Sequence, residues 1–328
     1  MGENGSGGAR LMPRVLVLGG GGMLGHKLFQ RLQRDFGDTC CTLRSEARAG
    51  PFDGIPLFEG ERVLSGVDVL RTDAFHALLR HLKPDVIVNC VGVIKQRAAA
   101  NAAIPNIRIN SLLPHELAQL CAEWFGRLIH FSTDCVFSGR CGSYRESDQS
   151  DADDLYGRSK FLGEVTAPNT VTLRTSIIGR ELTEHKSLLD WFLSQKKGAT
   201  VRGFRRVIYS GITTNEMANV VTMIIRDFPG LSGLFQVAAE PITKYELLAL
   251  VREAYGLDMI LEPDDRELSD RSMNGEKFRD ATGWRAPTWP AMIRELADDP
   301  TPYEEWGASV LHTGGERDRE TCSKTRRS

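Results

Sequence analysis

From Arg14 onward, short runs of β-branched and apolar residues alternate with longer stretches in which apolar residues recur every three or four positions. The short runs "RVLVLG", "TCCTLR", "DVIVNC", "RLIHFS" and "TVTLRT" read as strands. The stretches "MLGHKLFQRLQRDF", "DAFHALLRHLK", "NSLLPHELAQLCAEWF" and "DLYGRSKFLGEV" read as the helices between them. Such alternation predicts βαβ units and an α/β fold, with a Rossmann-type doubly wound parallel sheet over residues 11–178. After Thr175 the rhythm becomes irregular, with "SLLDWFLSQ", "NEMANVVTMIIRDF" and "KYELLALVREAYG" as helices and "GLFQVAA" as a late strand. This break predicts a smaller substrate-binding region, residues 179–206 and 239–297, over the carboxyl ends of the strands, where open α/β sheets bind ligands. The strand and helix around 207–238 are expected to return to the first domain. The glycine-rich residues 1–10 are expected to be a disordered leader and residues 298–328 a flexible tail.

Composition narrows the class without naming an activity. A chain of 328 residues, 41% hydrophobic and 26% charged, can bury one large core or two unequal ones. Its net charge of -2 offers no electrostatic case for nucleic acid or an anionic membrane. No apolar run approaches the roughly 18 residues that span a bilayer, and "MGENGSGGAR" lacks the apolar core of a signal peptide. A cytosolic chain is therefore expected, and a homodimer is left open. The seven cysteines are odd in number, without CxxC spacing or a paired histidine cluster, so reduced thiols, most of them buried, are expected rather than disulfides or a metal site.

The stretch "VLGGGGMLGHK" carries Gly19, Gly22 and Gly25 between a strand and a helix. Glycines there permit a tight turn, let backbone amides approach a pyrophosphate and aim a helix amino terminus at its charge. The same spacing also serves a flexible turn with no ligand. The second strand ends in Arg44, with Arg48 nearby and no preceding acid, which favours the 2′-phosphate of NADP(H) over the free ribose of NAD(H). A solvated surface arginine is the alternative. Asp68, followed by Val69, stands where an adenine edge could be met, or is engaged in its own turn. Asn89 ends the fourth strand at the cofactor edge, or caps the next turn.

Tyr156 and Lys160 are four apart in "DLYGRSKFLGE" and share one helix face. A lysine ammonium near a phenol lowers its pKa and makes the tyrosine a proton donor or acceptor near neutrality, although most pairs at this spacing are plain helix surface. Thr133 closes the fifth strand in "FSTDCVFSGR", and parallel topology brings it to the edge shared by Tyr156 and the glycine turn. A turn closed by Thr133 and Asp134 is the alternative there.

Taken together, the glycine loop, "NCVG" after the fourth strand, "INSLLPHELA", "FSTDCVFSG" and "DLYGRSKFLGEV" resemble the extended short-chain dehydrogenase/reductase superfamily, nearest its dTDP-4-dehydrorhamnose reductase branch. The resemblance covers roughly residues 14–283. It implies Thr133, Tyr156 and Lys160 as catalytic residues, with Asn110 as a supporting polar group. It further implies that Gly19, Gly22, Met23, Leu24, Gly25, Arg44, Asp68, Val69, Asn89, Cys90, Val91, Gly92, Tyr156 and Lys160 contact NADP(H). Thr133, Asp134, Cys135 and Arg271, the last in "DRSMNGEKF", are implied to contact a nucleotide-sugar substrate, and "TLRTSIIG" to line the nicotinamide and substrate. The implied activity is reduction of the keto group of a nucleotide-linked 4-keto-6-deoxyhexose. The related epimerases and dehydratases, and the non-catalytic regulatory subunit of methionine adenosyltransferase, are the alternatives. Related dehydratases carry a glutamate where this chain has Cys135, and a thiol packed as a small apolar group is a poor carboxylate substitute. Four consecutive glycines, and Thr213 where the nearest reductases tend to have proline, depart from the family pattern.

Overall fold

The structure, a computed structural model, describes residues 12–46, 50–94, 102–183 and 186–307. Its first half runs β1 (Val15–Leu18), α1 (Met23–Asp35), β2 (Thr39–Thr42), β3 (Val63–Leu64), α2 (Thr72–Leu82) and β4 (Val86–Asn89). There follow α3 (Ala103–Pro105), a π-helical turn (Asn106–Leu112), α4 (Leu113–Glu123), β5 (Arg127–Thr133), α5 (Leu155–Leu162) and β6 (Thr170–Thr175). The second half contains β7 (Ile177–Ile178), α6 (Leu188–Leu193), β8 (Thr200–Phe204), β9 (Val207–Tyr209), β10 (Ile212–Thr213), α7 (Thr214–Asp227) and β11 (Gly233–Gln236). It ends with β12 (Ile242–Thr243), α8 (Lys244–Ala254), β13 (Ile260–Asp264), β14 (Ser269–Asp270), α9 (Glu276–Thr282) and α10 (Trp289–Ala297).

Seven strands form one sheet in the order β11-β6-β5-β4-β1-β2-β3, and every pairing in it is parallel. The order reverses at β1, and the crevice beyond the carboxyl ends at that point is where such sheets bind ligands. Alternate strand residues feed two cores. Val15, Val17, Val86, Val88 and Ile129 pack with Leu28, Phe29 and Leu32 of α1 and Val220, Val221 and Ile224 of α7. Leu16, Leu18, Ile87 and Leu128 pack with Phe75 and Leu79 of α2 and Leu117, Leu120 and Cys121 of α4. Burial on both faces is why these strands read as unbroken apolar runs.

Three differences from the sequence reading bear on the site. Within 207–238, α7 and β11 return to the main layer, whereas β9 and β10 pair with β12, β14 and β7 in the smaller sheets. Strand β3 has only two residues, too short to leave a periodic signal. The segment after Asp298 is packed as far as residue 307, with Thr301, Tyr303 and Trp306 all buried, so the boundary of a flexible tail at 298 falls too early. Buried polar and aromatic side chains hold this segment, and no local periodicity announces them. Residues 1–11 and 308–328 lie outside the described residues, and with them the expected leader and Cys322.

Candidate active site

The turn between β1 and α1 is built by close approach. Gly19 has φ +80°, and its amide donates to the Thr42 hydroxyl at 3.1 Å, while the Gly20 amide donates to the Thr42 carbonyl at 2.9 Å. A β-carbon on Gly20 would stand 2.7 Å from the Cys41 sulfur, one on Gly21 would overlap the Phe52 ring, and one on Gly25 would overlap the Gly19 carbonyl oxygen. Those neighbours, with the positive φ of Gly19, account for glycine at positions 19, 20, 21 and 25. Gly22 caps α1 without any side-chain hydrogen bond, and the first turn carries no acid. Its leading amides, those of Met23, Leu24 and Gly25, therefore face the crevice with the positive end of the helix behind them.

Registered pairing sets the next residues beside this turn. Leu18 of β1 pairs with Asn89 of β4, which pairs with His130 of β5. The buried Asn89 accepts from the Val91 amide at 3.1 Å, so it caps the loop that carries Cys90, Val91 and Gly92 past the glycine turn. The Val91 side chain lies against Gly19, and burial pushes the Cys90 thiol well up. Arg44 is exposed at the end of β2; Arg48 lies outside the described residues. Asp68 accepts from the Leu70 amide at 3.0 Å, which makes it a local turn residue in this structure.

Thr133 ends β5 and opens a 3-10 turn, where its hydroxyl accepts from the Cys135 amide at 3.2 Å and donates to Asp134 at 3.0 Å. The Tyr156 phenol lies near the same hydroxyl. Asp154, two residues before Tyr156, caps α5 by accepting from the Gly157 amide at 2.7 Å. One turn later Lys160 is buried and donates to the Phe131 carbonyl at 2.5 Å. Burial pulls its ammonium down to about 8, with Glu164 opposing. The Tyr156 phenol is pushed up by burial, with Cys135 adding to the shift and Thr133 opposing it. The phenol pKa is thus raised, where the Tyr-Lys spacing suggests a lowered one, because desolvation dominates.

Asn110 braces this arrangement from the π-helical turn. Its carbonyl accepts from the Val93 amide at 2.9 Å, and its amide nitrogen donates to the Val93 carbonyl at 3.1 Å and to Ser159 of α5 at 3.2 Å. One residue along, Ser111 donates to the Ser159 carbonyl at 2.8 Å.

Asp134 sits half-buried beside Thr133. Burial pushes its carboxyl up, while the Thr133 hydroxyl and the Arg271 guanidinium pull it down. Arg271 donates to the Phe137 carbonyl at 2.9 Å, so β14 and the loop after it reach the same crevice. Ser176 lies near Asp134, and Tyr209 and Lys244 feel its charge. Ser176 falls within "TLRTSIIG", the stretch expected to line the site, whereas sequence reading missed Tyr209 and Lys244. The Thr243/Glu246 capping box that opens α8 is legible in "TKYE", but nothing local aims Lys244 at Asp134. Of the six described cysteines, Cys41 and Cys121 are buried, Cys40, Cys90 and Cys135 half-buried and Cys141 exposed, so fewer are buried than expected. Thr213, where relatives tend to have proline, caps α7 by accepting from the Glu216 amide at 3.2 Å.

A family model described as the RmlD substrate binding domain matches residues 13–260. The beta subunit of methionine adenosyltransferase 2 from Danio rerio is 27% identical over 257 residues, covering 74% of this chain and 74% of the relative. The dTDP-4-dehydrorhamnose reductase of Aggregatibacter actinomycetemcomitans is 26% identical over 316 residues, covering 87% of this chain and 98% of the relative. The solved structure of a dTDP-4-dehydrorhamnose reductase from Bacillus anthracis in complex with NADP superposes with a TM-score of 0.72 at 16% identity, over 87% of this chain and 98% of that one. At that identity the likeness is one of fold. Since the family match spans most of the chain, from the first strand to the start of β13, the chain belongs to the RmlD substrate-binding-domain family, within the extended short-chain dehydrogenases/reductases.

Proposed function

We propose that this chain is an NADPH-dependent reductase of the C4 keto group of a nucleotide-activated 4-keto-6-deoxyhexose. The observation that carries the reading is the placing of the Tyr156 phenol near Thr133 at the end of β5, with Lys160 buried on the next turn of α5. A neutral phenol is the form that delivers a proton to an alkoxide developing from a ketone. The glycine turn fits a dinucleotide, because its helix amino terminus has no side-chain cap and no acid to compete with a pyrophosphate.

In this reading Met23, Leu24 and Gly25 offer backbone amides to the pyrophosphate, and Arg44 offers a charged fork to a 2′-phosphate. Asn89, Cys90, Val91 and Gly92 line the nicotinamide side, and Lys160 holds the adjoining ribose. NADPH, when bound, supplies the hydride. Tyr156 protonates the sugar oxygen while Thr133 hydrogen-bonds it, and Lys160 keeps positive charge near the phenol as its proton leaves. Asn110 holds the loop at Val93 and helix α5 in register, so that Tyr156 and the cofactor edge share one geometry. Arg271 and Lys244, two cations around Asp134, suit the anionic diphosphate of the substrate. Cys135 leaves the dehydratase chemistry without its carboxylate base.

A second reading, an NADP-binding regulatory subunit, is favoured by the similarity to the beta subunit of methionine adenosyltransferase 2. The retained Thr133, Tyr156 and Lys160 weigh toward catalysis. The test is NADPH absorbance loss on mixing the purified chain with dTDP-, UDP- and GDP-linked 4-keto-6-deoxyhexoses, alongside NADH. Stoichiometric oxidation of NADPH, faster than of NADH, with formation of the alcohol is expected. NADPH binding without turnover of any keto-sugar would transfer the assignment to the regulatory class, and dehydration of the parent hexose would transfer it to the dehydratases.

A further inference from the structure

Behind the glycine turn, on the side away from the crevice, lies a buried polar cluster that the mechanism above does not use. His26, in the first turn of α1, is fully buried. Its Nδ1 lies 2.9 Å from the Gly22 carbonyl oxygen and its Nε2 lies 2.9 Å from the Tyr303 hydroxyl. The carbonyl can only accept, so Nδ1 carries the proton, and Nε2 then accepts from the Tyr303 O–H. The two rings meet edge to face, with centroids 5.6 Å apart and planes at 84°.

Tyr303 is itself fixed. Lys27 Nζ donates to Asp299 at 2.8 Å and to Thr301 at 3.0 Å, and Asn215 of α7 donates to Asp299 at 2.7 Å. The Arg180 guanidinium lies over the Tyr303 ring at 4.7 Å. The segment 299–303 is therefore a strap, anchored on α1 and α7 and covered by the smaller region.

We propose that His26 and Tyr303 are positioning residues for the dinucleotide-binding turn, which makes the C-terminal strap part of the cofactor site. The Gly22 carbonyl and the Met23 N–H belong to one planar peptide group. Gly22 has no side chain with which to fix that group, and a capping serine or aspartate would consume the amides that an anion needs. The Gly22 carbonyl takes both the His26 amide, at 3.0 Å, and the imidazole Nδ1–H. These bonds hold the peptide from behind and leave Met23 N–H aimed at the crevice. The chain from Tyr303 through His26 also polarises the peptide, and so strengthens its N–H as a donor.

This inference rests on the proposed binding of NADP(H) at the turn. Its test is the Kd for NADP+, measured by titration calorimetry on the full chain, with thermal unfolding of the unliganded protein recorded in parallel. Tyr303→Phe keeps the ring and removes only the hydroxyl, and is expected to weaken NADP+ about 5-fold, the worth of one hydrogen bond. His26→Leu is expected to weaken it about 10-fold or more, and His26→Asn, which restores a donor near the Nδ1 position, to recover most of that loss. Unchanged Kd in Tyr303→Phe and His26→Leu would overturn the inference while leaving the cofactor reading intact. Loss in both without recovery in His26→Asn would assign the cluster to packing and also overturn it. Should His26→Leu not fold, Tyr303→Phe and His26→Asn decide the matter. A wild-type chain that does not bind NADP+ would remove the cofactor reading and this inference together.

Discussion

Tyr156, Lys160 and His26 show how burial sets the chemistry of single side chains. Burial pushes the Tyr156 phenol above its ordinary value, so its replacement should remove a proton donor and little else. Tyr156→Phe is expected to lower turnover with the keto-sugar about 100-fold or more while leaving the Kd for NADP+ within a factor of about two. Turnover equal to wild type would remove Tyr156 from the mechanism. Burial holds His26 at about 4, below its ordinary 6.5, with the Gly22 carbonyl, Lys27 and Asp299 as its polar surroundings. A group that charges more easily when unfolded takes up protons on unfolding, so its stabilising contribution is full above pH 6.5 and falls as pH drops toward 4. The loss approaches about 3 kcal/mol at the acid end. Thermal midpoints measured from pH 7 to pH 5 should therefore decline, and His26→Asn should flatten part of the slope. His130, also buried and lowered well below its ordinary value, adds to the slope in the same sense.

Helix α1 and the π-helical turn carry the site as units. The amino terminus of α1 can approach the β1 end only because position 25 has no side chain, since a β-carbon there would overlap the Gly19 carbonyl oxygen. Gly25→Ala gains helix propensity but must push the helix off the turn. A net destabilisation of about 2 kcal/mol is expected, read as a lower urea midpoint at unchanged slope, together with weakened NADP+ binding. A stabilised Gly25→Ala would mean that the turn yields at no cost. The sequence reading has a regular helix over 110–125, whereas the chain turns helical at Ala103 and widens through Asn106–Leu112. A wide turn takes more residues than an α-helical one, and π turns of this kind collect at functional sites. Here it carries both Asn106 and Asn110, whose side chains bond at 3.1 Å.

Across the molecule, α1 and the segment after α10 are joined by a buried ion pair. Lys27 and Asp299 are 272 positions apart, and their side chains are only 6% and 8% exposed. Burial pushes the Asp299 carboxyl up, but hydrogen bonds from Lys27 and Thr301 outweigh it and hold the group at about 2. Asp299→Asn would leave a buried ammonium without its counter-charge, at an expected cost of about 3–5 kcal/mol in denaturant unfolding. In the wild type the contribution of Asp299 is present at neutral pH and is lost as pH falls from about 4 toward 2. A loss below about 1 kcal/mol in Asp299→Asn would show that the strap contributes little to holding the two regions together.

The elements and the turn were legible in the residues because their signals are short-range. "RVLVLG" followed by "GGGMLGHK" is a strand, a turn and a helix on local sterics alone, and Tyr156 and Lys160 share a helix face at any four-residue spacing. Asn89 and Asp68 were ambiguous in the residues, and in the folded chain each side chain accepts from the amide two residues on. The state of the Tyr156 proton, the placing of Lys244 and Arg271 around Asp134, and the docking of Tyr303 on His26 left no trace in any short stretch. Each depends on which distant segments exclude water from a given atom. Desolvation and long-range polar contacts come into being only when the chain has closed around them, whereas periodicity and backbone sterics act between neighbours before it folds.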